Sequence, residues 1–195
     1  MTGPRSSSRR PGGLPRVGWL ALLVAASAIQ TVGVLPAQTP KPTEYQMKAA
    51  YLSNFGRFVE WRPGAVVGDA AEPFRVCVLG RDPFGPALDA AVTGETINRA
   101  PITAKRIPTP QDAANCRVLF ISSSQDSELK SVLAALGKTP VLTVSDMPQF
   151  AKRGGMIQFV LEASRVRFTV NLDAAKHAEL NLSSQLLKLA VPLIP

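Results

Sequence analysis

The chain has 195 residues, 46% of them hydrophobic and 18% charged, with a formal net charge of +8. That size suits one domain with its own core plus a targeting segment. Four of the 22 basic residues (Arg5, Arg9, Arg10 and Arg16) fall in the first 37 positions, which hold no acid; the other 18 face 14 acids in mixed order, with no basic stripe among aromatics, which argues against nucleic acid as a partner.

The N-terminus reads as a secretory signal peptide over 1–37. A basic stretch to Arg16 is followed by an apolar run, VGWLALLVAASAI over 17–29, and by a polar region ending Leu35-Pro36-Ala37. Cleavage after Ala37 would place the mature chain in the periplasm. The alternative is an N-terminal membrane anchor, because residues 17–35 approach the length needed for a bilayer core of about 30 Å. Residues 38–43 read as a linker, and 44–191 as the folded domain.

In the mature chain, Thr43 and Gln46 have capping-box spacing, and Tyr45, Ala49, Leu52, Phe55 and Val59 repeat at helical intervals. A helix is expected over 44–61, stopped by Pro63-Gly64. FRVCVL over 74–79 reads as a strand ended by Gly80. Asp82-Pro83 reads as a helix start, with Leu88 and Val92 facing inward and Gly94 near the end. A second strand region is expected over 96–107, interrupted near Pro101, followed by a turn or short helix over 112–115. CRVLFI over 116–121 is a third strand. Ser122 to Ser124 lead into a helix over 128–136, ended by Gly137. A fourth strand is expected over 141–144, and one helical turn over 147–151 before Gly154-Gly155.

The tail changes character. Strands over 156–161 and 166–171 lie a hairpin apart, and Val166, Phe168 and Val170 alternate with Arg167, Thr169 and Asn171. Helical segments follow over 173–179 and 183–191. The order of elements predicts a single α/β domain: a mostly parallel sheet flanked by helices, with a C-terminal β-hairpin and helices.

Catalytic constellations are thin. The single histidine, His177, reads as a surface residue of a late helix. There is no GxSxG elbow, no GxGxxG and no GK[ST], and one histidine with two separated cysteines is too few for a zinc site. Asp82 and Asp89, seven apart, read as a cap and a solvated face. No catalytic residue, metal or cofactor is assigned. Ser122, Ser145 and Asp146 follow strands where open α/β sheets place ligands, and they serve equally well as helix caps. Cys77 and Cys116 are the only cysteines. An exported chain favours a disulfide between them if their strands are neighbours; buried thiols are the alternative.

EYQMKAAYL over 44–52, with Asn54-Phe55 and FVEW over 58–61, resembles the opening of the YfiR family. So do FRVCVLGRDPFG over 74–85, CRVLFIS over 116–122, VLTVSD over 141–146 and the stretch 154–190. The resemblance implies a periplasmic α/β regulator without enzymatic activity, often a homodimer. Its expected partner is an inner-membrane sensor protein, a diguanylate cyclase in the best-known members, with an outer-membrane lipoprotein able to sequester it. Cys77 and Cys116 fall where family members carry a cysteine pair. The second pair of some members is absent, which leaves a single structural bridge as the expectation. Phe159, Leu161, Phe168, Leu186 and Leu189, on the terminal hairpin and last helix, are the candidate partner-binding residues. The alternative function is a periplasmic small-molecule-binding module of a transport or sensing system.

Overall fold

Thr43 caps the first helix as its side chain allows. In the computed structural model, which describes residues 41–61, 72–191 and 193–194, its hydroxyl accepts from the Gln46 N–H while the Gln46 side chain accepts from the Thr43 N–H at 2.7 Å. Helix α1 (Glu44–Phe55) leads through a tight 3-10 turn, Gly56–Phe58, into strand β1 (Val59–Trp61). Then come β2 (Phe74–Leu79), α2 (Pro86–Val92), the hairpin β3 (Thr96–Ile97) and β4 (Ala100–Ile107), β5 (Val118–Ile121), α3 (Leu129–Leu136) and β6 (Leu142–Ser145). The hairpin β7 (Ile157–Glu162) and β8 (Arg165–Asn171) precedes α4 (Leu172–His177), β9 (Leu180–Leu182), α5 (Ser184–Leu189) and β10 (Leu193–Ile194).

The main sheet has the order β10-β8-β7-β6-β5-β2-β4-β3. Pairing is parallel from β4 through β2, β5 and β6 to β7, and antiparallel within the two hairpins. This is the mostly parallel α/β architecture expected from the sequence, with the terminal hairpin added at one side. No helix among the described residues is long and apolar enough to cross a membrane. The signal segment 1–37, the first half of the linker (38–40) and the helix stop at Pro63-Gly64 lie outside the described residues.

Several local expectations need correction. The helix expected over 44–61 ends at Phe55, because β1 is claimed by a distant partner: it pairs antiparallel with β9, Val59 opposite Leu182. Gly56 sits under the Phe74 ring, where a Cβ would collide with it. Asp82-Pro83 does not start α2. The Asp82 carboxylate accepts from the Phe84 N–H at 2.8 Å, forming a turn, and the helix begins at Pro86. The break expected near Pro101 is instead a two-residue turn at Asn98 and Arg99, both at positive φ (51° and 71°), the conformation that a tight hairpin demands. The segment 173–191, read as two helices, holds β9 between two shorter ones.

Side chains from alternate strand positions build two apolar layers, one on each face of the sheet. Val76, Val78, Val118, Phe120, Phe159 and Phe168 pack under α1. Cys77, Leu79, Leu119 and Ile121 pack under α3, with Phe150. Because β2 and β5 are neighbours, Cys77 and Cys116 come to a Cα separation of 5.9 Å and form a disulfide on this second face.

Candidate functional site

Helix α1 serves two roles at once. Its inward side presents Ala49, Leu52 and Phe55 to the sheet, all buried. Phe55 meets Phe168 edge-on at 5.3 Å and lies stacked on Phe159 at 5.9 Å, favourable aromatic geometries. Its outer flank carries Met47, Ala50, Tyr51 and Asn54. Together with Phe58 and the α5 residues Leu186 and Leu189, these line an apolar groove of about 330 Å³, with Phe55 and Phe168 also in its lining. Among the described residues, Leu189 and Leu161 are the exposed large hydrophobic residues, each 57% exposed. Leu189 stands on the rim of the groove. Leu161 lies near the tip of the β7–β8 hairpin, opposite Val166 and on the same face as Phe159 and Phe168.

The structure therefore divides the five candidate partner-binding residues. Phe159, Phe168 and Leu186 are buried and serve the core, while Leu161 and Leu189 are presented to solvent. Met47, Tyr51, Asn54 and Phe58 join the groove although the sequence did not single them out for it. Their signal was present in the breadth of the apolar stripe on α1, which is wider than one sheet face can cover.

A second feature ties the groove wall in place. Lys48 is only 4% exposed. Its Nζ lies 2.7 Å from the Asp146 carboxylate, also pairs with Glu44, and sits 4.5 Å over the Tyr45 ring. The Tyr45 hydroxyl donates to the same carboxylate at 3.1 Å. Burial alone would lower the Lys48 pKa, but the hydrogen bonds to Asp146 and Glu44 outweigh it and hold the ammonium above its ordinary value. Burial, seconded by the Asp146 charge, raises the Tyr45 pKa. Lys48 falls in phase with Tyr45, Leu52 and Phe55. A lysine within an apolar stripe was the available sign of a buried partner.

Ser122, Ser145 and Asp146 do gather at the C-terminal ends of β5 and β6, but their polar atoms are engaged within the fold. Ser122 Oγ accepts from the Ser124 N–H. Ser145 Oγ donates to the Ile121 carbonyl at 2.6 Å and accepts from the Met147 N–H at 3.1 Å. Asp146 neutralises Lys48. Asp82 and Asp89 both receive Arg106, at 2.8 and 2.6 Å, which latches the loop after β2 onto β4. His177 is exposed on the wall of a separate cleft of about 360 Å³, which also includes Thr139, Thr143 and Arg153. Among the described residues, no group of three His, Cys, Asp or Glu could hold a metal ion.

A family model described as YfiR/HmsC-like matches residues 45–191. Among solved structures, a conserved domain protein from Vibrio cholerae O1 biovar El Tor is similar in fold, with TM-score 0.54 and 9% identity over 77% of this chain and 60% of that one. An ABC domain from Streptococcus pneumonia, solved in complex with L-Trp, gives TM-score 0.49 and 10% identity over 75% of this chain and 60% of that one. The chain thus spans 60% of the length of each of these two solved structures.

Proposed function

We propose that this protein, which belongs to the YfiR/HmsC-like family, is an exported regulator that acts by binding another protein and not by turnover. Its compartment is the periplasm, reached through the cleavable segment 1–37. Its target is the periplasmic sensor portion of an inner-membrane diguanylate cyclase, which it holds inactive, restraining cyclic-di-GMP synthesis and biofilm formation. A regulator of this kind needs a surface that binds one state of its target more tightly than another. The observation that supports this reading is the apolar groove beside α1, with Leu189 exposed on its rim; exposed apolar surface of this kind marks interaction sites. An outer-membrane lipoprotein that occupied the same face would release the cyclase by competition.

The test is affinity capture from detergent-solubilised membranes with the wild type and with Leu189→Asp. The wild type should retain a membrane protein carrying a cytoplasmic diguanylate cyclase domain. Leu189→Asp should retain at least tenfold less, while its stability stays within about 0.5 kcal/mol of wild type because the site is exposed. Equal capture by both would remove the groove from the account, and no cyclase in either eluate would remove the regulator reading.

A second reading, as a small-molecule-binding module, draws support from the cleft by His177. Thr143 is buried there, and its hydroxyl accepts from the Met156 N–H at 3.1 Å, leaving its proton to give. Small-molecule sites combine apolar walls with a few such polar groups. A thermal-shift screen of periplasmic extract fractions would decide this reading, since a bound ligand must raise the melting temperature.

A further inference from the structure

The cleft beside His177 lies at the end of the sheet where β6 and β7 begin, away from the strand ends that carry Ser122 and Ser145. Leu133 and Leu136 of α3, Val141 and Met156 just ahead of the two strands, and Ala174 of α4 give it apolar walls. Its volume of about 360 Å³ falls in the range of small-molecule sites, roughly 300–1,000 Å³. Thr143 also lines it. Thr143 is opposite Leu119 in the pairing of β5 with β6, which turns it to the α3 side of the sheet, and it is 2% exposed. Its hydroxyl accepts from the Met156 N–H, and no acceptor among the described residues takes its own proton. A buried donor left without an acceptor is unfavourable, and a ligand oxygen would relieve it.

The charges around the cleft are of one sign. Arg153 lines it with its guanidinium held in place, donating to the Asp126 carboxylate at 2.5 Å and to the Asp126 carbonyl at 2.9 Å. Those bonds use two of the five N–H donors and offset the charge, so Arg153 presents oriented donors and not a bare cation. Among the described residues that line the cleft, none is Asp or Glu. Three of the segments that build it place a lysine directly beside a lining residue: Lys138 before Thr139, Lys152 before Arg153 and Lys176 before His177. All three lysines are exposed. Lys176 is 3.7 Å from Asp173, while Lys138 and Lys152 have no ion pair among the described residues. A cleft bordered by one sign of charge concentrates ligands of the other. A cation would find no counter-charge here, whereas an anion with an apolar body would meet both the walls and the rim.

We propose, resting on the small-molecule reading above, that this cleft binds a small carboxylate with an apolar body. The measurement is thermal unfolding of the purified protein with benzoate or hexanoate, with benzyl alcohol or hexanol as their uncharged counterparts, and with acetate as the charged group alone, all at matched ionic strength. Benzoate or hexanoate at about 5 mM should raise the wild-type Tm by about 3 °C, and the alcohols and acetate by about 1 °C or less. Ala134→Leu, at an exposed α3 position on the cleft wall, fills the space from outside the core. It should abolish the shift while its Tm without ligand stays within about 1 °C of wild type. Arg153→Gln should cut the advantage of each acid over its alcohol at least threefold, a ratio that a loss of stability alone would not move. Equal shifts by the acids and their alcohols would overturn the preference for carboxylates, and an acid shift that survives in Ala134→Leu would overturn the site. If none of the acids acts but extract fractions stabilise wild type and not Ala134→Leu, the carboxylate proposal falls and the small-molecule reading stands. If neither acts, both fall.

Discussion

One sheet separates two layers that are closed by different means. The α1 face is aromatic: Tyr51, Phe55, Phe159 and Phe168 all touch one another within 6 Å except the strand pair itself. The α3 face is mostly aliphatic and carries the Cys77–Cys116 bond. The disulfide face has its strands stapled and its apolar side chains under α3. The aromatic face has a broad helix whose outer flank remains apolar, and the groove is what remains uncovered. The apolar groove, the proposed docking surface, thus lies where noncovalent packing, and not the cross-link, closes the core.

Variants on the two faces should separate these contributions. Phe168→Ala removes a ring in contact with Tyr51 and Phe55 and enlarges the groove floor, so it should destabilise the fold by about 3–5 kcal/mol. Denaturant unfolding would measure it; a loss under about 1 kcal/mol would mean that α1 collapses onto the cavity and the aromatic face is more plastic than its packing implies. Replacing both cysteines by serine opens a link between residues 39 apart and should destabilise by about 2–4 kcal/mol, acting chiefly through the unfolded chain. Wild type in reductant should match the double variant. If it remains as stable as the oxidised protein, the disulfide face holds by packing alone.

Asp146→Asn tests the tie between α1 and the sheet. It leaves Lys48 buried with only Glu44 as a charged partner, and should destabilise by about 2 kcal/mol. The pH dependence gives its signature. The folded pKa of Lys48 is raised, so its contribution is present below its unfolded value of about 10.4 and is lost as pH rises through the folded value. Wild type should lose stability in that alkaline range, and Asp146→Asn should show a shallower decline. Parallel curves would assign the alkaline loss to other groups.

Much of the domain was legible in the chain itself. FRVCVL and VLFI are apolar runs suited to strands buried on both faces; FRVCVL is β2 throughout, whereas the strand expected over 116–121 begins only at Val118, because Cys116 ends the preceding 3-10 turn and Arg117 is a bend. The Thr43–Gln46 box and the glycines at 80, 94 and 137 mark boundaries that the structure keeps. The groove was less legible. Phe159, Phe168 and Leu186 look like Leu161 and Leu189 in a pattern of apolar residues, and only the packing of α1 and α5 separates the buried three from the exposed two. The strand-end serines looked available because a sequence does not show that Ser145 is spent on the Ile121 carbonyl.

The chain alone therefore determined what nearest neighbours decide: alternation, helical phase, caps and turns, each set by contacts within a few residues. The tertiary structure alone decided that Val59 leaves the helix to pair with Leu182, that Lys48 meets Asp146 from 98 residues away, and that Arg75 stands beside Arg117. Such pairs depend on strand order and loop closure, whose free energy is shared by the whole fold, so local spacing carries no record of them.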